Sequence, residues 1–237
     1  MEETVRFGMV PDRNVMSMVA LLPEKDGEYD LYHINGYSRE NIEDMRVLER
    51  YFEQKLKPYE GRNAELYVTR KTTDFSLIAA LNCLVRQSSR LRVYFWDREN
   101  EVYQGMEMMT GKGGEEQRKG SITCVLLNRH DIGVSDEMTN AIAEKNIIFA
   151  GNGLPGDSLP TEKMFDFDLL SKTAALSLGR IKTVLQQNGG NTVRFYLCGL
   201  KPLTVIALNE ARKLDLRVEC MHWNMDKESY FLQKVNL

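Results

Sequence analysis

The two tryptophans of the chain stand in one short frame written twice, "FWDRENEVY" from Phe95 to Tyr103 and "HWNMDKESY" from His222 to Tyr230. In each, Trp is followed by an acid or its amide, then by Glu, then by Tyr. The offset is 223 − 96 = 127, and the same shift places Ala80 on Ala207, Leu81 on Leu208, Asn82 on Asn209, Glu101 on Glu228 and Tyr103 on Tyr230. Identities that stay in register without a gap read as an internal duplication. Two similar units that chose similar residues for packing reasons would give the same frame, with Trp and Tyr filling core or edge positions. Either way the chain holds two like units.

The order of elements supports this. "MTGKGGEEQRKGS", Met109 to Ser121, is rich in glycine and charge with no apolar period, and reads as a linker. It separates an N-terminal unit, 1–108, from a C-terminal unit, 122–237. In the first, "NVMSMVALLPEKDGEYDLYHING" reads as two strands around a turn at Lys25-Asp26-Gly27. A helix capped by Ser38 is expected next, with Ile42, Met45, Val47, Leu48, Tyr51, Phe52 and Leu56 as its apolar stripe. Strand "AELYVTR", helix "DFSLIAALNCLVRQ" and strands "LRVYFWD" and "EVYQGMEM" complete the unit.

The second unit opens on "SITCVLLN", an unbroken apolar run of the kind buried on both faces of a sheet. A short helix capped by Ser135, the strand "NIIFAG" and a long helix from about Asp166 to Gln187, ended by Gly189-Gly190, follow. Then the earlier order returns with strand "TVRFYLCG", helix "KPLTVIALNEARKL" and strands "LRVECMHW" and "ESYFLQKV". Alternating strands and helices predict an α/β fold of two Rossmann-like units, each a mostly parallel sheet closed by an antiparallel edge hairpin.

Composition narrows the function classes. With 237 residues, 43% hydrophobic and 27% charged, the chain can build globular cores. A net charge of −3 supplies no basic field for duplex nucleic acid, while leaving room for a local basic pocket. "MEETVRFGMV" has no secretory pattern and no window approaches a membrane span, so a cytoplasmic location is expected. Cys83, Cys124, Cys198 and Cys220 lie in apolar segments without C-x-x-C spacing, which reads as buried reduced thiols. No G-x-G-x-x-G, G-x-S-x-G or H-E-x-x-H motif calls for a cofactor, a nucleophile elbow or a metal.

Ligands of open α/β sheets bind beyond the carboxyl ends of the strands, where helix N-termini direct N–H groups at anions. That rule selects "TRKTTD", with Thr69, Lys71, Thr72 and Thr73, in the first unit. In the second it selects Asn128, Arg129 and His130 of "NRHD", Gly151 and Asn152 of "GNG", and Cys198, Gly199, Lys201 and Pro202 of "CGLKP", with Thr204 just beyond. Both Lys71 and Lys201 offer a cation to a phosphate. His130 is the histidine best placed for proton transfer. Packing of the units about a pseudo-twofold axis would bring the two lysine turns to face one another across a shared cleft, suited to a ligand with several phosphates.

Two such units in one chain, with these turns after "ITCVLLN" and "VRFYLCG", resemble the CARF and SAVED sensor superfamily of Rossmann-like domains. The resemblance implies a cyclic-oligonucleotide ligand held between the duplicated units in prokaryotic antiviral, CRISPR-type signalling. It implies a stand-alone sensor or a ring nuclease, with a homodimer or an effector protein as partner, and needs no cofactor. Ring cleavage would be metal-independent, aligning a ribose 2′-hydroxyl on the adjacent phosphate, with Lys71, Lys201 and His130 as the catalytic groups. A second reading gives the repeated Trp/Tyr hairpins to protein interaction in a noncatalytic subunit.

Overall fold

The computed structural model describes residues 3–69, 71–111, 121–128, 146–149, 159, 163–197 and 200–236. Two compact units form, Met1–Lys112 and Gly113–Asn236.

In the first unit the strands are β1 (Thr4–Gly8), β2 (Met18–Ala20), β5 (Asn63–Val68), β6 (Arg90–Asp97) and β7 (Val102–Met108), in sheet order β2-β1-β5-β6-β7. All neighbours are parallel except β6 and β7, which form the closing hairpin. Helices α1 (Met45–Leu56) and α2 (Asp74–Gln87) pack on each other. Both belong to crossovers that move the chain in the same direction along the sheet, so right-handedness puts them on one face. That face is read from alternation: Val5, Phe7, Ala64, Leu66, Leu91, Val93 and Phe95 are buried, whereas Arg6, Glu65, Tyr94 and Trp96 point the other way and stay partly or wholly exposed.

The second unit repeats the plan. Its strands are β8 (Ile122–Asn128), β9 (Ile147–Phe149), β10 (Thr192–Tyr196), β11 (Arg217–Asn224) and β12 (Ser229–Val235), in order β9-β8-β10-β11-β12, again parallel up to a final antiparallel hairpin. Helices α3 (Phe167–Gln187) and α4 (Lys201–Lys213) stand where α1 and α2 stand in the first. Read in chain order, the two sheets have one topology, which is what a duplication leaves. The shift of 127 carries the bounds of β6 onto β11 and of β7 onto β12 without a residue's difference.

The repeated phrase has a structural cause. Asp97 Oδ1 accepts the backbone N–H groups of Glu99 and Asn100, and Asn224 Oδ1 accepts those of Asp226 and Lys227, so the acid or amide after Trp folds the turn in both hairpins. The glutamates that follow, Glu101 and Glu228, close the turns at φ +50° and +46°, a region L-residues other than Asn and Asp seldom adopt. Glu228→Gly therefore stabilises the second unit by roughly 0.5–1 kcal/mol, the left-handed cost less the flexibility glycine adds. The urea midpoint of the second unit should rise in Glu228→Gly and fall in Glu228→Val, whose β-branched side chain tolerates positive φ least.

Two expectations are corrected. The long hairpin around Lys25-Asp26-Gly27 does not form. The turn is present, with Asp26 at φ +53° and Gly27 at +81°, but it joins only two-residue strands, β3 (Glu24–Lys25) and β4 (Glu28–Tyr29). The apolar run before it instead pairs in parallel with β1, and Leu21 and Leu22 bond back to Gly8 and Met9 and are buried. Burial in the central sheet outcompetes a local hairpin with little apolar surface to cover. Ser38 does not cap α1 either. It bonds Asn41 Oδ1 through its N–H at 2.6 Å and its hydroxyl at 3.2 Å, in a turn that precedes the helix, and Asp44 occupies the N-cap position. Of the expected stripe, Met45, Leu48, Phe52 and Leu56 are buried and Val47 and Tyr51 half-buried, while Ile42 lies before the helix. The helix expected from Ser135 and the centre of the linker lie outside the described residues.

Cys83 and Cys220 are buried thiols, Cys124 is partly buried, and Cys198 lies outside the described residues. No described helix is long and apolar enough to cross a membrane.

Candidate functional site

The β5–α2 and β10–α4 turns leave the carboxyl ends of equivalent strands, yet they are built differently. Asn63 pairs with Arg90 and Thr192 with Arg217, so β5 maps onto β10 with a shift of 192 − 63 = 129. From the helices onward the shift is 127. The turn of the second unit is therefore two residues shorter.

In the first unit the hydroxyls hold the turn itself. Thr69 N–H donates to Thr72 Oγ1 at 3.0 Å and Thr72 N–H donates to the Thr69 carbonyl at 3.0 Å, with both threonines buried. Thr73 forms a capping box with Ser76, its Oγ1 accepting from Ser76 N–H while Ser76 Oγ accepts from Thr73 N–H, and Asp74 begins the helix. The end of α2 is thus satisfied from within. Lys71 is half-exposed, its ammonium 3.7 Å from Asp30.

The start of α4 has the opposite character. Leu200 at its N-cap makes no side-chain bond, its first turn has no acid, and its first residue is Lys201, standing at the position that Asp74 holds in α2. A cation there opposes the helix dipole, so this terminus gains from an anion where that of α2 does not. Pro202 lies in the first turn, where its missing N–H costs nothing. Thr204 is buried and bonds back to the Leu200 carbonyl at 3.5 Å. Asn128 ends β8. Arg129, His130, Gly151, Asn152, Cys198 and Gly199 lie outside the described residues.

Sequence reasoning missed an aromatic trio present in both units. In the first, Tyr103 meets Tyr67 edge-on at 5.0 Å and Trp96 at 5.1 Å; in the second, Tyr230 meets Tyr196 at 5.0 Å and Trp223 at 4.9 Å. The hairpin phrase supplies Trp and the second Tyr, and the β5 or β10 strand supplies the first. Tyr67 and Tyr196 correspond only at the 129 shift, so an ungapped comparison at 127 passes over them.

Around the trio the units diverge. In the second, Leu126, Tyr196 and Met221 form a buried cluster with Cys124, Ile147 and Tyr230 packed against them, while Trp223 stays 39% exposed. The first keeps a cleft of about 540 Å³ on the face opposite its helices, floored by Tyr67, Tyr94, Trp96 and Tyr103 and bordered by Arg6 and the 14–16 segment of the β1–β2 connection. Tyr94 stacks on Tyr67 at 4.7 Å with the planes 6° apart. Glu65 collects the Arg6 guanidinium at 3.2 Å and the phenols of Tyr67 and Tyr94 at 3.0 and 3.3 Å. Burial, then the bond to Glu65, push the Tyr67 phenol up to about 12, and burial with the bond to Asp12 raises that of Tyr103, so both remain proton donors.

No protein-family model matches the chain, and no curated protein matches it. Solved structures do. The chain aligns over its whole length with an Acinetobacter baumannii Cap4 SAVED/CARF-domain containing receptor solved with the cyclic trinucleotide 2′3′3′-cAAA, at TM-score 0.55 and 12% identity. It aligns as fully with that receptor solved with 3′3′3′-cAAA, at TM-score 0.52 and 13% identity. The chain spans about half the length of these receptor chains, 51% and 52%. At such identity the likeness is one of fold: two Rossmann-like α/β units, arranged in this chain order, are the fold shared with SAVED/CARF-domain receptors.

Proposed function

We propose that this protein is a receptor for a cyclic oligonucleotide, acting in antiviral signalling. The observation that carries the reading is the fold match over the whole chain to receptors solved with cyclic trinucleotides. The start of α4 supports it from the chain's own residues: an uncapped helix N-terminus led by Lys201 is stabilised by a phosphate. Lys71 is a second phosphate contact, released from its loose, half-exposed pairing with Asp30 at little cost. Thr69, Thr72, Thr73 and Thr204 act by shaping these turns, their hydroxyls being engaged within them. Asn128, Arg129, His130, Gly151, Asn152, Cys198, Gly199 and Pro202 complete the proposed ligand surface.

Lys71→Ala combined with Lys201→Ala tests this. Neither lysine holds the fold, and Lys201→Ala removes a cation from the wrong end of a helix, so the double variant should melt at or above the wild-type temperature. A ligand at about 100 times its Kd adds about 2.7 kcal/mol of apparent stability. Cyclic trinucleotide should give that gain with the wild type and lose most of it with the double variant; an equal gain in both would remove the lysines from the site. Analysing the same incubations for linear products separates a sensor from a ring-cleaving enzyme that uses Lys71, Lys201 and His130.

A further inference from the structure

We propose that the aromatic cleft of the first unit is a stacking site for a nucleobase, distinct from the strand-end turns. The two units differ around the same aromatic trio. The second unit packs Met221 against its trio, with Leu232 exposed on the paired strand. At the positions of its Met221 and Leu232, the first has Tyr94 and Gly105, paired across β6 and β7 as Met221 and Leu232 are across β11 and β12. Gly105 is what lets Tyr94 lie where it does, since a Cβ there would come within 2.4 Å of the ring. The first unit thus has, in place of this aliphatic pair, a flat aromatic wall beside Trp96.

The chemistry of the lining selects the occupant. Tyr and Trp rings accept any base by its π-face. A space of about 540 Å³ falls in the range of small-molecule sites and suits a nucleoside. Of the cations beside these rings, Arg6 is already paired with Glu65 and Arg92 lies over the Tyr94 ring at 5.6 Å, while Glu101 borders the cleft and Asp12 stands behind Tyr103. That excess of carboxylate repels phosphate, so the site takes the base and leaves phosphates outside. The amide of Asn14, on the exposed β1–β2 connection, offers a donor and an acceptor to the base edge. The base has two sources, a free nucleoside or one base of the cyclic ligand proposed above; in the second case the inference rests on that reading.

Trp96 reports on the cleft. In Trp223→Phe the fluorescence comes from Trp96 alone, and adenosine should quench it saturably. Filling the cleft with the second unit's residues, Tyr94→Met and Gly105→Leu in that background, should weaken binding about tenfold or more, the worth of one stacked base. Should the filled variant not fold, Asn14→Ala on the exposed connection is expected to weaken it as well. Absence of saturable quenching by adenosine or guanosine overturns the proposal, as does equal quenching in the filled and Asn14→Ala variants. If the base belongs to the ring, filling the cleft also weakens 3′3′3′-cAAA; if the source is a free nucleoside, it does not. Adenosine quenching without trinucleotide binding defeats the receptor reading alone, and trinucleotide binding without adenosine quenching defeats this one alone.

Discussion

Tyr196→Ala is expected to lower the stability of the second unit by about 3–5 kcal/mol, the range for removing a large buried aromatic side chain. Tyr196 is 1% exposed, packs in one cluster with Leu126 and Met221, and meets Tyr230 edge-on at 5.0 Å. Among the described residues of that cluster only Met221 is flexible enough to shift into the space, so most of the cavity cost adds to the lost transfer energy. Its counterpart Tyr67 borders an open cleft at 9% exposure, and water can enter where its ring was. Tyr67→Ala should therefore cost only about 2 kcal/mol, near the value of burying one side chain without a cavity term. Urea unfolding followed by Trp223 in a Trp96→Phe background, and by Trp96 in Trp223→Phe, reads the units separately. Equal losses would mean that the cleft is as tightly packed as the cluster, contrary to the geometry.

Acid should destabilise the second unit through His222. Its ring is 6% exposed, lies against Phe231 at 5.1 Å and bonds Gln233 Oε1 through Nε2 at 2.8 Å. Burial lowers its pKa to about 4, outweighing the opposing pull of the Gln233 oxygen. The native imidazole is thus neutral where the unfolded one, with a pKa near 6.5, is charged. Between those values the unfolded state binds the extra proton, so stability is fully present above about pH 6.5 and is lost as pH falls toward 4, by about 3 kcal/mol in all. Position 222 corresponds to Phe95 in the first unit, also buried in its strand. His222→Phe should flatten the dependence of the unfolding free energy on pH across this window. A slope unchanged by the substitution would place the acid-sensitive group elsewhere.

Much of the fold was legible because the repeated elements are also the most strongly patterned. α2 and α4 are buried along most of their length, and β6–β7 and β11–β12 carry both the alternation and the turn chemistry of the shared phrase. What escaped was weakly patterned: β1 and β2 are five and three residues long, and their parallel pairing leaves no local signal comparable to the Asp26-Gly27 turn beside them. The turns proposed to hold the ligand were legible as strand ends, their internal bonding less so. Strand-end turns follow from topology, but whether Thr69, Thr72 and Thr73 face a ligand or one another depends on backbone bonds that composition does not reveal. The reversal from Asp74 to Lys201 becomes informative only once both are known to open a helix. The aromatic trio needed the two-residue gap between β5 and α2, which only the strand register exposes.

Titration calorimetry of the intact chain with 3′3′3′-cAAA and 2′3′3′-cAAA, beside linear tri-adenylate and ATP, asks whether the protein recognises a closed ring of nucleotides. Saturable binding of a cyclic trinucleotide, with the linear and mononucleotide ligands much weaker, is the predicted result. Absence of binding by either ring up to millimolar concentration, or equal binding of ring and linear forms, would contradict a cyclic-oligonucleotide receptor.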